Sequence, residues 1–194
     1  MLEPEYRVGF RILIDEIGLL PTLKISIPSL IKGLGIRYRA DEKTSATENK
    51  KTAIKNHFKL LALLYRALQK RCGTERTDEI MQTILMEGGR VFFRGFRAMR
   101  PGEDLRDFAE VYKAFESNNI VFHVIEESHD KLELVIKRCF IYEAFNELGI
   151  GRLTRWMCDI AFAYFREYHP RMTYTKDRMI ARGDETCHEV FIWQ

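Results

Sequence analysis

The sequence predicts an α+β fold: a roughly four-stranded antiparallel sheet, made of two hairpins, packed against about five helices, with a helical N-terminal half. Three observations predict it. Apolar residues from Ile54 to Leu68, and again from Ile80 to Phe92, recur at three- and four-residue spacing, the signature of amphipathic helices. IVFHVIEE and KLELVIKR, separated by SHD, are rich in aliphatic and β-branched residues, as a hairpin is. MTYTKDRMIAR and ETCHEVFIW flank Gly183-Asp184 and read as a second hairpin closed by a turn.

Taken in order, a helix over Tyr6–Ile17 is followed by LLPTLKISIPSLIKGLGIRYR, where Pro21, Pro28, Gly33 and Gly35 argue against a long uninterrupted helix. The apolar and basic mixture of this stretch would suit a membrane surface, but such segments more often pack over their own domain or across a dimer, and that is the expectation. Residues 41 to 49 read as a polar linker in which Thr47 or Asn49 caps the next helix. The division expected is therefore an N-terminal segment over 1–49, packing on the domain or on a partner subunit, and a single α+β domain over 50–194. A helix over Lys50–Arg71 ends at Gly73, and a second runs from Thr77 or Asp78 to Met99, before Pro101 and Gly102. Gly88, Gly89 and Gly95 weaken that second helix, and close approach of a ligand or a neighbouring helix is the usual compensation. A helix over Asp104–Glu116 ends at Asn118 and Asn119, and the first hairpin follows. Cys139 opens a short helix closed by Gly149 and Gly151. A longer helix then runs from Leu153 to Tyr168, ahead of Pro170 and the second hairpin.

Composition bounds the class. With 194 residues, 46% hydrophobic and 30% charged, the chain is long enough for a sound core. Its net charge of +3, from 31 basic and 28 acidic residues, is too even to imply nucleic acid as a partner. Cys72, Cys139, Cys158 and Cys187 form no CxxC pair and no dense disulfide spacing, and no signal-peptide pattern opens the sequence. Reduced thiols in a cytoplasmic protein are expected. No apolar run approaches the roughly 18 to 20 residues of a membrane span, so no transmembrane segment is expected. The cysteine spacings match no zinc ribbon or finger, and neither a metal nor a cofactor is expected.

The candidate chemistry concentrates between Cys139 and Trp193. Cys139 lies where a strand gives way to a helix, and the free N–H groups and positive dipole end of a helix start favour a thiolate there. Cys158 shares a helix face with Phe162 and Phe165, a setting equally suited to core packing. Cys187 and Glu189 project from one face of the last strand, together with Phe191 and Trp193, and His188 from the other. Asp184 is a natural turn residue, and Asp159 is placed to pair with Arg155 one helical turn earlier. Upstream, Arg90, Arg94, Arg97 and Arg100 share one helix face, as a solvated surface or as a site for a carboxylate or phosphate. His57, His123 and His129 read as structural.

The cysteine opening CFIYEAFNELG, the CD pair in the next helix, the terminal ARGDETCHEVFIW and the upstream GGRVFFRGFRAMR together resemble the L-2-amino-thiazoline-4-carboxylic acid hydrolase family, over roughly residues 50 to 194. By position, Cys139, Cys158 and Cys187 match that family's cysteines and Asp184 the acid of its GD turn. Ala161 stands where the family often has an acid, and Glu189 where it often has an aromatic residue. The resemblance implies hydrolytic opening of a small carboxylated ring: water adds to the amidine-like carbon of a thiazoline and leaves a carbamoyl-cysteine product.

Such a reaction needs a nucleophile, a proton carrier and a group that holds the carboxylate. Cys139 is the candidate nucleophile. Asp159, Asp184, His188 and Cys187 are the candidates for the remaining catalytic roles, and Arg94, Arg97, Tyr142 and Cys158 for substrate binding. The expected partner is a small carboxylated molecule, with a homodimer as an option. The rival readings are a sensor or binding domain of the same fold that holds its ligand without turnover, and a dimerisation domain.

Overall fold

The computed structural model describes residues 4–39, 45–99, 104–168 and 171–194, with the backbone alone over 95–99 and 166–168. Among these residues, besides two 3-10 turns over Gly151–Leu153 and Ile180–Arg182, six α-helices and four strands follow in the order α1 (Pro4–Ile17), α2 (Leu19–Gly35), α3 (Ala46–Met99), α4 (Leu105–Glu116), β1 (Ile120–Glu127), β2 (Lys131–Cys139), α5 (Phe140–Glu147), α6 (Thr154–Tyr168), β3 (Met172–Arg178) and β4 (Cys187–Trp193). The sheet is antiparallel throughout, in the order β1-β2-β4-β3. Each hairpin supplies one half, and the β2–β4 pairing joins them. This is the α+β fold with a helical N-terminal half that the sequence predicts.

The N-terminal stretch differs from expectation. Pro21 sits in the first turn of α2, where backbone N–H groups lack helical partners in any case. Pro28 lies inside the helix and costs it one hydrogen bond, but Thr22, Ser29 and Gly33 are buried, and Gly33 lies against Leu60 and Leu63 of α3. Gly18, at a left-handed φ of 83°, turns the chain between α1 and α2. Of the expected linker, residues 41–44 lie outside the described residues, and its last part is already helical: α3 starts at Ala46, and Ser45, not Thr47 or Asn49, accepts the Glu48 N–H through its hydroxyl at 3.4 Å.

The break anticipated at Gly73 is present as a kink in α3, with φ 77° and ψ 173°. Beyond it, α3 packs on α6 closely enough that a Cβ on Gly89 would stand 2.5 Å from Ile160. The neighbouring helix, not a ligand, accounts for that glycine. Asp104 caps α4, accepting the backbone N–H groups of Arg106 and Asp107. One apolar cluster joins α1, α3, α5 and α6. A second, rich in aromatic rings, fills the space between α4, α6 and the sheet through Phe108, Tyr112, Phe165, Tyr174 and Phe191. The site described next lies at the edge of that second cluster.

Candidate functional site

Alternation along the strands decides what faces the helices. On β4, Cys187, Glu189 and Phe191 are buried, and their partners on β2 are Ile136, Leu134 and Leu132. On β3, Lys176 stands opposite Glu189 and Tyr174 opposite Phe191. A register shift between Lys176 and Arg178 keeps Lys176 inward while Asp177 turns out to bond His188.

Three of the four cysteines meet here. Cys139, Cys158 and Cys187 belong to one cluster with Ile120, Ile136, Phe162 and Met179, and all are free thiols. Cys139 is the N-cap of α5, its Sγ accepting the Tyr142 N–H at 3.4 Å. Cys187 Sγ accepts the Ile180 N–H at 3.3 Å. The thiolate expected at Cys139 is not favoured. Burial pushes its pKa from 9.0 up to about 12, against the lowering effect of the Tyr142 N–H and with the neighbouring Cys158 and Cys187 adding to the rise. That rise corresponds to roughly 4 kcal/mol against the anion, more than the typical 0.3–1 kcal/mol (roughly) that a helix start supplies. Burial likewise raises Cys158 and Cys187, and in both the next influence is the opposing pull of Lys176.

Lys176 is the centre of the polar arrangement, and sequence reasoning missed it. Its Nζ lies 2.7 Å from Glu189 Oε1. Tyr174 donates to the same oxygen at 2.9 Å, and Tyr112 donates to Glu189 Oε2 at 2.7 Å. Burial opposes a charged amine, but the Glu189 carboxylate outweighs it and holds Lys176 as an ammonium. Both tyrosines are pushed well above the usual phenol range, by burial first and then by Glu189. Glu116, at the end of α4, has its carboxyl pushed up to about 8 by burial and by Glu189, against Lys176 and a hydrogen bond with Asn119. One signal for this was present in the sequence: a glutamate on the inward face of a strand demands a buried counter-charge, and Lys176 shares the inward parity of Met172 and Tyr174.

A cleft of about 580 Å³ opens in front of Lys176, lined also by Asp159, Phe162 and Ala163 of α6 and by Arg182. Asp159 thus lines the cleft, and Arg155, its expected partner, lies over the Trp156 ring. Asp184 secures the turn beside the site, accepting the Met179 N–H at 2.7 Å. Tyr142 contributes its backbone N–H to Cys139. His188 is not brought to the thiols. It lies on the opposite sheet face, 2.8 Å from Asp177 and 2.9 Å from Glu133, and these two carboxylates raise its pKa, Glu133 first. Arg94, exposed on α3, is not among the cleft's lining residues, and the Arg97 side chain lies outside the described residues. Among the described residues no cluster of three or more His, Cys, Asp or Glu side chains has the arrangement of a metal site, and no helix is long and apolar enough to cross a membrane.

No curated protein matches the chain. Among solved structures, the chain is similar to an H-NOX protein from S. oneidensis in the Fe(II)NO ligation state, at 11% identity and a TM-score of 0.42 over 98% of this chain and 97% of that one. It is also similar to an Fe(II) unliganded H-NOX protein from K. algicida, at 14% identity and a TM-score of 0.41 over 98% and 95% of the two chains. Likeness at this level says nothing of function. The family comparison is of a different kind: the model of L-2-amino-thiazoline-4-carboxylic acid hydrolase matches residues 53–191, a span that holds the three clustered cysteines, Lys176, Glu189 and every residue lining the cleft. The chain belongs to the L-2-amino-thiazoline-4-carboxylic acid hydrolase family.

Proposed function

We propose that this chain hydrolyses a small carboxylated cyclic amidine of the thiazoline type in the cleft in front of Lys176, with a clustered cysteine, Cys139 first, as nucleophile. The observation that carries this reading is the convergence of Cys139, Cys158 and Cys187 in one buried cluster under the influence of Lys176. None of the three thiols lines the cleft itself, and Phe162, which belongs to both the cluster and the cleft wall, joins the two. Arg182 at the cleft's rim supplies the cation for the substrate carboxylate, in place of Arg94 or Arg97. The thiol sulfur bonds to the amidine-like carbon, the ring C–S bond breaks, and the departing sulfur takes up the thiol's proton. Water then adds to the enzyme-bound carbon, the enzyme C–S bond breaks with return of a proton to the cysteine, and a carbamoyl product leaves. Lys176 supports this by lowering the energy of a developing thiolate, and Asp159 is the cleft carboxylate placed to move a proton.

The test follows the free thiol that ring opening releases from L-2-amino-thiazoline-4-carboxylate. Cys139→Ala is expected to lower kcat/KM by roughly a thousandfold or more, and Arg182→Gln to raise KM about tenfold, the loss of about 1.4 kcal/mol of binding. Unchanged turnover in Cys139→Ala removes the covalent role. A second reading is favoured by the raised thiol pKa values: a domain of this fold that holds a small carboxylated ligand without turnover. A ligand recovered chemically intact from the purified protein, with no thiol release, supports it.

A further inference from the structure

The amphipathicity of α2 is inverted. Its most buried residues, Thr22, Ser29 and Gly33, are small or polar, and only Ile25 of its large apolar residues packs against the helical core. Its outward side carries Leu19, Leu20, Ile27, Leu30, Ile31 and Leu34, all exposed, with Leu20 at 71%, Ile31 at 65% and Leu34 at 78%. Residues 20, 27 and 34 recur every seven positions and 31 follows 27 by four, so these side chains form one stripe along a helix of 17 residues. Phe10 of α1 is exposed as well. A soluble helix packed on its own domain normally shows the reverse arrangement, and a contiguous apolar stripe of this kind marks a docking face.

Charge identifies the occupant. Residues 18–39 contain Lys24, Lys32, Arg37 and Arg39 and no acid. The nearest acids in sequence are Asp15 and Glu16 before the stretch and Asp41 and Glu42 after it, and Glu16 is paired with Arg76. In an isologous pairing of two copies, α2 would bring like charges together with no carboxylate on the facing helix to meet them. An anionic lipid surface satisfies both features: acyl chains take the stripe, and phosphate headgroups take the flanking lysines and arginines. We propose that α2 is an interfacial helix that lays its Leu20–Leu34 stripe on an anionic membrane surface and holds the domain, with its cleft, against the bilayer. This inference does not depend on the chemistry proposed for the cleft.

Cosedimentation of the full chain with vesicles tests it. Binding is expected to phosphatidylcholine vesicles containing phosphatidylglycerol, to be weak for phosphatidylcholine alone, and to fall as salt is raised. Lys24→Glu/Lys32→Glu is expected to lower the partition coefficient roughly tenfold or more. Ile27→Ser/Ile31→Ser/Leu34→Ser, at exposed positions that leave the fold intact by circular dichroism, is expected to abolish binding. A tryptophan at Leu30 (Leu30→Trp) is expected to shift its emission to the blue on adding anionic vesicles. Absence of binding to anionic vesicles at low salt overturns the proposal. So does a serine variant that binds like the parent, or a stable dimer that the serine substitutions dissolve while neither form binds lipid.

Discussion

Cys139 is subject to two opposed influences, and their sizes decide its state. The Tyr142 N–H at 3.4 Å and the α5 dipole favour the thiolate, by typically up to about 1 kcal/mol. Desolvation beside Cys158 and Cys187 disfavours it and leaves the pKa near 12. With that value roughly one molecule in 10⁵ carries the thiolate at pH 7. Alkylation of Cys139 by iodoacetamide, followed by peptide mass spectrometry, is therefore expected to be far slower than that of a free-thiol reference at neutral pH. It should keep rising about tenfold per pH unit up to pH 10, where a thiol of ordinary pKa has already levelled off. A plateau below pH 8 would show that the helix start wins over burial. By the same balance, the proposed nucleophilic role would require the proton to leave during attack. Lys176 lowers all three thiols, though at Cys139 its effect is smaller than that of the Tyr142 N–H.

Among the elements, those set by local rules were legible in the sequence. Gly73 breaks α3, Asp104 caps α4, and the first hairpin falls where alternation puts it. The second pairs as expected, but β3 stops at Arg178 and Ile180–Arg182 form a 3-10 turn, so the connection is longer than the Gly183-Asp184 turn alone. The inward set of β4 was legible too, because a strand's period of two leaves no choice once Phe191 is inside. What escaped depended on tertiary packing: α2 keeps its helix through Pro28 because α3 receives its small face, a contact no local pattern announces. The site divided in the same way. Cys139, Cys158, Cys187 and Asp159 were legible by residue type and position, whereas Lys176 acquires its role only when the β3 register sets it opposite Glu189. The glycines of α3 yield a prediction at this scale. With Ile160 atoms 2.5 to 2.9 Å from its Cβ position, Gly89→Ala forces α3 and α6 apart and is expected to cost about 1–3 kcal/mol in urea unfolding, despite the better helix propensity of alanine. Adding Ile160→Val should recover part of that loss. Gly89→Ala with unchanged or higher stability would mean that the two helices reseat freely.

Across the whole molecule, α4, α6 and the sheet close over a set of groups whose charges are interdependent: Lys176 and Glu189 as an ion pair, Tyr112 and Tyr174 as donors, and Glu116 nearby with its carboxyl pushed up to about 8. Folding therefore tightens the hold of Glu116 on its proton, from an ordinary value of 4.5 to about 8. For an acid raised in this way, the folded state binds more protons than the unfolded chain between the two values. Its contribution to stability is full below pH 4.5 and is lost as pH rises through about 8. His188, raised above 6.5 by Glu133 and Asp177, acts in the same sense, with a contribution present below 6.5 and lost above it. Glu48, Glu133, Glu147, Asp130 and Asp177 are lowered by their partners and act oppositely, but their contribution falls away only in acid, near and below pH 4.5. Between pH 5 and 8 the protein should thus lose thermal stability with rising pH, and the segment from 5 to 6.5 belongs to Glu116 alone among these groups. Thermal melts across that range are expected to give a flat profile from pH 5 to 6.5 for Glu116→Gln, with the His188 segment above 6.5 retained. A Glu116→Gln profile parallel to the parent's would place the carboxyl in contact with water and separate it from the Lys176–Glu189 pair.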